Sequence, residues 1–172
     1  MKNNKNKKNI LFVVNADWFF VSHRLPIAKQ AIEEGYNVHL VTEVSDKRKD
    51  IEKYGIKLHD VKLERSSTSI IRNIILFIKF LKIFKLIKPD LIHLVTIKPV
   101  LIGGIAAHFF KKSPKIVISI SGLGFIFIDK GYKAILRKIM IIFFYKVVFL
   151  HNDLKVIFQN RTDIKNIRDF TN

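Results

Sequence analysis

Residues 10–14, Ile-Leu-Phe-Val-Val, form an unbroken apolar run that ends abruptly at Asn15-Ala16-Asp17. Five strand-forming residues with no polar alternation describe a strand buried on both faces, as in the middle of a parallel sheet. Such a strand needs helices over both faces and crossover connections between its neighbours, so this run constrains the chain more than any other stretch. The next ten residues are opposite in character: Asn15, Asp17, Ser22, His23 and Arg24 surround the aromatic trio Trp18, Phe19 and Phe20. Residues 15–24 read as a polar loop at the carboxyl end of the first strand, the edge where open α/β sheets bind ligands. Ser22 is placed to cap a helix over residues 25–34, with Pro26 in its first turn and Gly35 as its stop.

The same alternation continues. Strands are expected at 37–42, 56–61, 91–95, 115–120 and 155–158, and helices at 46–54, 70–88, 99–110 and 131–151, with a weakly helical polar tail at 161–170. Pro89 closes the long fourth segment, and Gly103-Gly104 inside the next one points to close packing of that helix on the sheet. Strands that alternate with helices without internal polar alternation predict parallel βαβ units and a doubly wound α/β sheet in the order 3-2-1-4-5-6. Right-handed crossovers then bring three polar or glycine-rich turns to one edge: residues 15–24, 96–98 (Thr96, Ile97, Lys98) and 121–124 (Ser121, Gly122, Leu123, Gly124).

The chain has no cysteine, which excludes disulfides and thiolate metal sites, and its six histidines are scattered. A hydrophobic fraction of 49% excludes disorder. Residues 1–8 are a basic tail with too short an apolar run behind it for a secretory signal, and no stretch is long and apolar enough to span a bilayer. The net charge of +17, from 31 Lys+Arg against 14 Asp+Glu, fits nucleic acid, an anionic membrane surface or a phosphorylated substrate, or else a compositional bias towards Lys, Asn and Ile. Helix 70–88 favours the membrane. Ile74, Phe77, Leu81 and Phe84 share one face expected to pack on the sheet, and Arg72, Lys79 and Lys82 mix with Ile75, Ile83 and Leu86 opposite. Residues 131–151 repeat that mixture, with Lys133, Arg137, Lys138 and Lys146 among Ile, Met and Phe; the alternative is burial against another chain. No DNA- or RNA-binding motif occurs, so nucleic acid is not expected.

The first turn lacks the GxGxxG of dinucleotide sites, and no Walker loop, GxSxG elbow, HExxH or hydrolytic carboxylate pair is present. Asp17 and His23 are either a base with its orienting partner or a turn cap beside an ordinary helix residue. Arg24 and Lys98 either bind phosphate or face solvent. Gly122-Leu123-Gly124 is either a tight turn or a set of amides offered to an anionic or sugar ligand.

Three stretches, ILFVVNADWFFVSHRLPIA, PDLIHLVTIKPVLIGGIAA and ISGLGFIFIDKGYKAILRKIMIIFFYK, together resemble the amino-terminal half of a family 4 glycosyltransferase over residues 9–160. They are most similar to the bacterial group acting on lipid-linked oligosaccharides and surface polysaccharides. The resemblance implies a GT-B fold, in which an amino-terminal acceptor domain faces a donor domain that binds the nucleotide sugar through a Glu-x7-Glu motif. It implies retaining transfer without a metal or other cofactor. By position it puts Asn15, Asp17, His23, Arg24, Thr96, Lys98, Ser121, Gly122 and Gly124 on the acceptor side. Ser121 stands where many members carry a catalytic histidine, so no catalytic residue is assigned. No Glu-x7-Glu motif occurs by Asn172, so residues 9–172 are read as the acceptor-side domain with the donor domain absent.

The expected function is half of a hexosyl- or N-acetylhexosaminyltransferase that is inactive alone. Its expected place is the inner face of the cytoplasmic membrane, where it meets a lipid-linked or polysaccharide acceptor. The alternative is a non-catalytic membrane-associated subunit or scaffold that pairs with a separate donor-binding chain.

Overall fold

Strand β1 (Asn9–Ala16) lies in the middle of the sheet, and its alternation settles how both cores form. In the computed structural model, Leu11 and Val13 point to one face and Phe12 and Val14 to the other, and all four are fully buried. The structure describes residues 7–63, 69–110, 113–120 and 131–171. Strands β2 (Asn37–Glu43), β3 (Lys57–Asp60), β4 (Leu91–Val95), β5 (Lys115–Ile120) and β6 (Leu154–Phe158) complete a six-stranded sheet. Its order is β3-β2-β1-β4-β5-β6 and every pairing is parallel, as the alternation predicts. The result is a Rossmann-like α/β domain.

One face is covered by α1 (Asp17–His23), α2 (Leu25–Glu33) and α3 (Arg48–Glu52), through Phe20, Ala28, Ala31 and Ile51. The other is covered by α4 (Ile70–Ile87), a π-helical turn (Pro99–Gly103) running into α5 (Gly104–Ala107), α6 (Tyr132–Phe149) and α7 (Arg161–Thr171). The two glycines where the π turn meets α5 have different neighbours. A Cβ on Gly103 would meet the Leu94 side chain of β4 at 2.8 Å, whereas one on Gly104 would meet both methyls of Val148 on α6 at 2.7 and 2.8 Å. Only the first is the helix–sheet contact expected from the sequence; the second sets the spacing between two helices.

Three local expectations change. Residues 17–23 form a helix and not a loop, and the Asp17 carboxylate accepts from the Trp18 amide at its start. Ser22 does not cap the next helix: its hydroxyl donates back to the Trp18 and Phe19 carbonyls. On α4 the buried stripe is Leu76, Phe80, Phe84 and Ile87, with Phe77 and Leu81 half-buried and Ile74 54% exposed. An almost wholly apolar helix offers several stripes at helical spacing. The stacked pair Phe80 and Phe84, 5.8 Å apart, takes the sheet. Lys88 ends the helix in a left-handed conformation (φ 50°), since Pro89 disfavours a right-handed residue before it.

Candidate acceptor-side rim

Strands β1, β4 and β5 are parallel neighbours, so their carboxyl ends lie on one edge. Asn15 and Thr96 stand there, both half-buried. The Asn15 Oδ1 and Thr96 Oγ1 atoms are fully buried and have no hydrogen-bond partner among the described residues. Thr96 also has φ 72°, a conformation that costs a β-branched residue on the order of 1–3 kcal/mol and that clusters at functional sites. Its amide donates to the Ser119 carbonyl at 3.4 Å, joining the end of β4 to β5. Lys98, half-buried, leads into the π turn. Ser121, Gly122 and Gly124 lie outside the described residues.

Asp17 and His23 do not form a pair with each other. The buried Asp17 carboxylate accepts from the amides of Trp18 (2.8 Å), Ser45 (2.7 Å) and Lys47 (3.0 Å) and from the Ser45 hydroxyl (2.6 Å). Burial alone would raise its pKa, but the hydrogen bonds from Ser45, Lys47 and Trp18 prevail and hold it below the usual value. It therefore clamps the start of α1 to the β2–α3 loop. His23 is exposed, stacks on Phe19 with ring centroids 4.2 Å apart, and shares a 2.6 Å contact between Nδ1 and the Ser22 hydroxyl.

Arg24 sits between α1 and α2 and is only 9% exposed. Its Nη1 donates to the His23 carbonyl at 3.0 Å, and its buried Nε has no partner among the described residues. Burial lowers its guanidinium from the ordinary value.

His93 on β4 and Ser119 on β5 join this region, with Nε2 and Oγ 2.8 Å apart and both residues buried. Burial, and then the charge of Arg24, push His93 down from 6.5 to about 4, so its ring is neutral at pH 7. Neither residue is evident as a site residue from the chain alone. The available signal is a polar side chain interrupting each of two otherwise apolar buried strands, LIHLV and KIVISI. Ser45 and Lys47 carry no such signal. Among the described residues no three of His, Asp and Glu gather as metal ligands. Two shallow hollows of about 350 and 540 Å³ lie over α2, lined in part by Tyr54 and Tyr36, and include none of the rim residues.

The pH consequence of His93 is a matter of linkage. The unfolded ring binds a proton near 6.5 and the folded ring only near 4, so stability is intact above pH 6.5 and declines as pH falls towards 4. The expected loss is about 3 kcal/mol. His39, 8% exposed and likewise lowered to about 4 by burial, His59 and Lys57, adds to the same window. Urea unfolding of His93→Gln between pH 7 and 4 should lose the His93 part of the decline and retain the part due to the other lowered rings, His39, His59 and His151. An unchanged slope would contradict the assignment.

The arrangement is a carboxyl-edge rim with unsatisfied hydrogen-bonding atoms and a buried cation. A family model described as glycosyl transferase 4-like matches residues 9–160. The chain belongs to the glycosyl transferase 4-like family. A search of curated proteins finds no significant match. Among solved structures, this glycosyl transferase 4-like chain is similar to sucrose-phosphate synthase from Thermosynechococcus elongatus, with a TM-score of 0.64 and 13% identity over 96% of this chain and 45% of that one. It is similar to a putative UDP-N-acetylglucosamine 2-epimerase from Listeria monocytogenes, with a TM-score of 0.64 and 11% identity over 95% of this chain and 42% of that one. It is also similar to MurG of Acinetobacter baumannii, with a TM-score of 0.51 and 14% identity over 68% and 37%. The chain thus spans less than half the length of each. At these identities the likeness is one of fold, and the fold is that of a GT-B domain. An epimerase shares it with transferases, so the family match, not the architecture, identifies the chain as a glycosyltransferase-type protein.

Proposed function

We propose that this chain is the acceptor-side half of a retaining glycosyltransferase that moves a hexose or N-acetylhexosamine from a nucleotide sugar to a lipid-linked or polysaccharide acceptor. The observation that carries the reading is the pair of orphaned atoms at the ends of β1 and β4, Asn15 Oδ1 and Thr96 Oγ1. Buried polar atoms are normally paired, and a sugar hydroxyl can both donate and accept there. His23, Lys98, Ser121, Gly122 and Gly124 would extend the acceptor wall, and Asp17 would position it. The nucleotide sugar would be held by a second domain, in line with the chain spanning 45% or less of the solved structures above.

The 172-residue chain is expected to bind a prenyl-pyrophosphate-linked sugar but to transfer nothing from nucleotide hexoses or N-acetylhexosamines. Turnover by the chain alone, or tighter binding of the nucleotide sugar than of the acceptor, would contradict it.

The same reading places the chain on an anionic membrane surface at the inner face of the cytoplasmic membrane. No helix among the described residues is long and apolar enough to cross a membrane. Instead Ile70, Ile71, Ile74, Ile75 and Ile78 of α4, and Ile135, Leu136, Ile139, Met140 and Phe143 of α6, are largely exposed. Lys79, Lys82 and Lys146 are exposed on the same two helices. Exposed aliphatics beside cations suit a lipid interface carrying anionic headgroups. Binding to phosphatidylglycerol vesicles should weaken several-fold between about 0.05 and 0.5 M salt, as the screening length shortens through ~8 Å at physiological ionic strength. Equal binding to neutral vesicles would contradict the electrostatic part. Binding to neither kind of vesicle would favour the other occupant of those faces, a partner chain.

A further inference from the structure

Arg24 is a buried cation without a counter-charge among the described residues. No ion pair to it is formed among the described residues, whereas Lys47, Arg48 and Lys53 are each joined to carboxylates elsewhere. Of its donors, Nη1 reaches a backbone carbonyl and Nε is buried with nothing to bond. The one acid of the turn, Asp17, is engaged by Trp18, Ser45 and Lys47. The first turn of α2, which Arg24 precedes, has no acidic residue and no side-chain cap. His93, close enough for the Arg24 charge to act on it, is a neutral polar group held to Ser119 and supplies no compensation. A guanidinium so placed is costly to the fold unless an anion joins it, because desolvation is incurred without the pairing that offsets it. Arginine also presents parallel N–H donors that match a carboxylate or a phosphate.

We infer that Arg24, beside His93 and Ser119, is a subsite for an anionic group, phosphate or carboxylate, of the ligand taken at this rim. The inference rests on reading the rim as an acceptor wall, and it adds to that reading that the acceptor is an acid. Two sources share the chemistry: the pyrophosphate of a lipid carrier and the carboxylate of an acidic sugar.

The test uses the whole chain at about 0.15 M salt, where surface charges are largely screened, with inorganic pyrophosphate in one arm and glucuronate in the other, read by calorimetry and thermal melting. Wild type should bind one of them saturably and melt higher in its presence, and the arm that responds identifies the source. Arg24→Met, which keeps the side-chain volume and removes the charge, should lose at least tenfold in affinity. Without ligand it should melt at or above the wild-type temperature, the opposite of what a structural arginine would show. Arg24→Lys keeps the charge, loses the fork and should fall between the two. Binding of neither probe by wild type overturns the inference, as does binding that survives both substitutions. So does an Arg24→Met protein that melts well below wild type, since Arg24 would then support the fold. Failure here with intact binding of a neutral sugar acceptor would leave the acceptor-wall reading standing; loss of both would remove it as well.

Discussion

Asp17→Ala is expected to lower the unfolding free energy by about 3–5 kcal/mol, since it leaves several amide donors without the ionised acceptor they share. The carboxylate accepts four hydrogen bonds, three of them from backbone amides. Bonds to an ionised group are worth ~1.5–3 kcal/mol each, but water reaching the exposed Ser45 recovers part of the loss, so the sum is not additive. At this chain length about 4 kcal/mol corresponds to a fall in melting temperature of roughly 10 °C. Asp17→Asn keeps the shape but replaces one acceptor oxygen with a donor and should lose about half as much. Ser45→Ala deletes only the hydroxyl and should cost about 1 kcal/mol. The native carboxyl titrates below its ordinary 3.8, so its contribution is complete above that value and is lost as pH falls below it. Asp17→Ala should flatten the acid limb below about pH 4. Wild-type melting temperatures in all three variants would mean the clamp contributes nothing.

Gly104→Val should be nearly as damaging, at about 3 kcal/mol, by overpacking. Even alanine would place a Cβ 2.7 Å from one Val148 methyl, 2.8 Å from the other and 3.3 Å from Val148 Cβ. A valine side chain is short and stiff, and Val148 is fully buried, so α5 and α6 must move apart. Gly103→Ala should be much milder. Its new methyl meets the tip of Leu94, which can rotate, and a helical glycine costs ~1 kcal/mol relative to alanine to begin with. The measurement is a double-mutant cycle. Val148→Ala alone should destabilise, whereas in the Gly104→Ala background it should cost far less, with a coupling above ~1 kcal/mol. Additive losses would show that the helices do not meet at this point.

Strand order was readable from the chain because the inner strands β1, β2, β4 and β5 are short, mostly buried apolar runs, whereas the edge strands β3 and β6 are only partly buried. Gly35, Gly55 and Pro89 also mark where several helices stop. Helix α1 was not readable. Trp18-Phe19-Phe20 carries no helical pattern in so short a piece, and the Asp17 clamp has its partners 28 and 30 residues away. The buried face of α4 was not readable either, since a stripe cannot be chosen by periodicity when nearly every residue is apolar. Asn15, Thr96 and Arg24 were nameable as polar residues near strand ends. That Asn15 and Thr96 have orphaned atoms, and that Arg24 has no acid beside it, is a property of packing. The pairing of His93 with Ser119 needs the parallel register of β4 and β5, which makes the two residues diagonal neighbours on adjacent strands.

The central claim is that the carboxyl edge of β1 and β4 is the surface that receives an acceptor. Amide-resolved NMR of the chain, titrated with a water-soluble, short-prenyl pyrophosphate-linked sugar, tests it most directly. The account predicts saturable shifts centred on Asn15, Arg24, Thr96 and Lys98. Shifts confined to the opposite edge, around Asn9, Asn37 and Leu91, or no saturable shift at all, would contradict it.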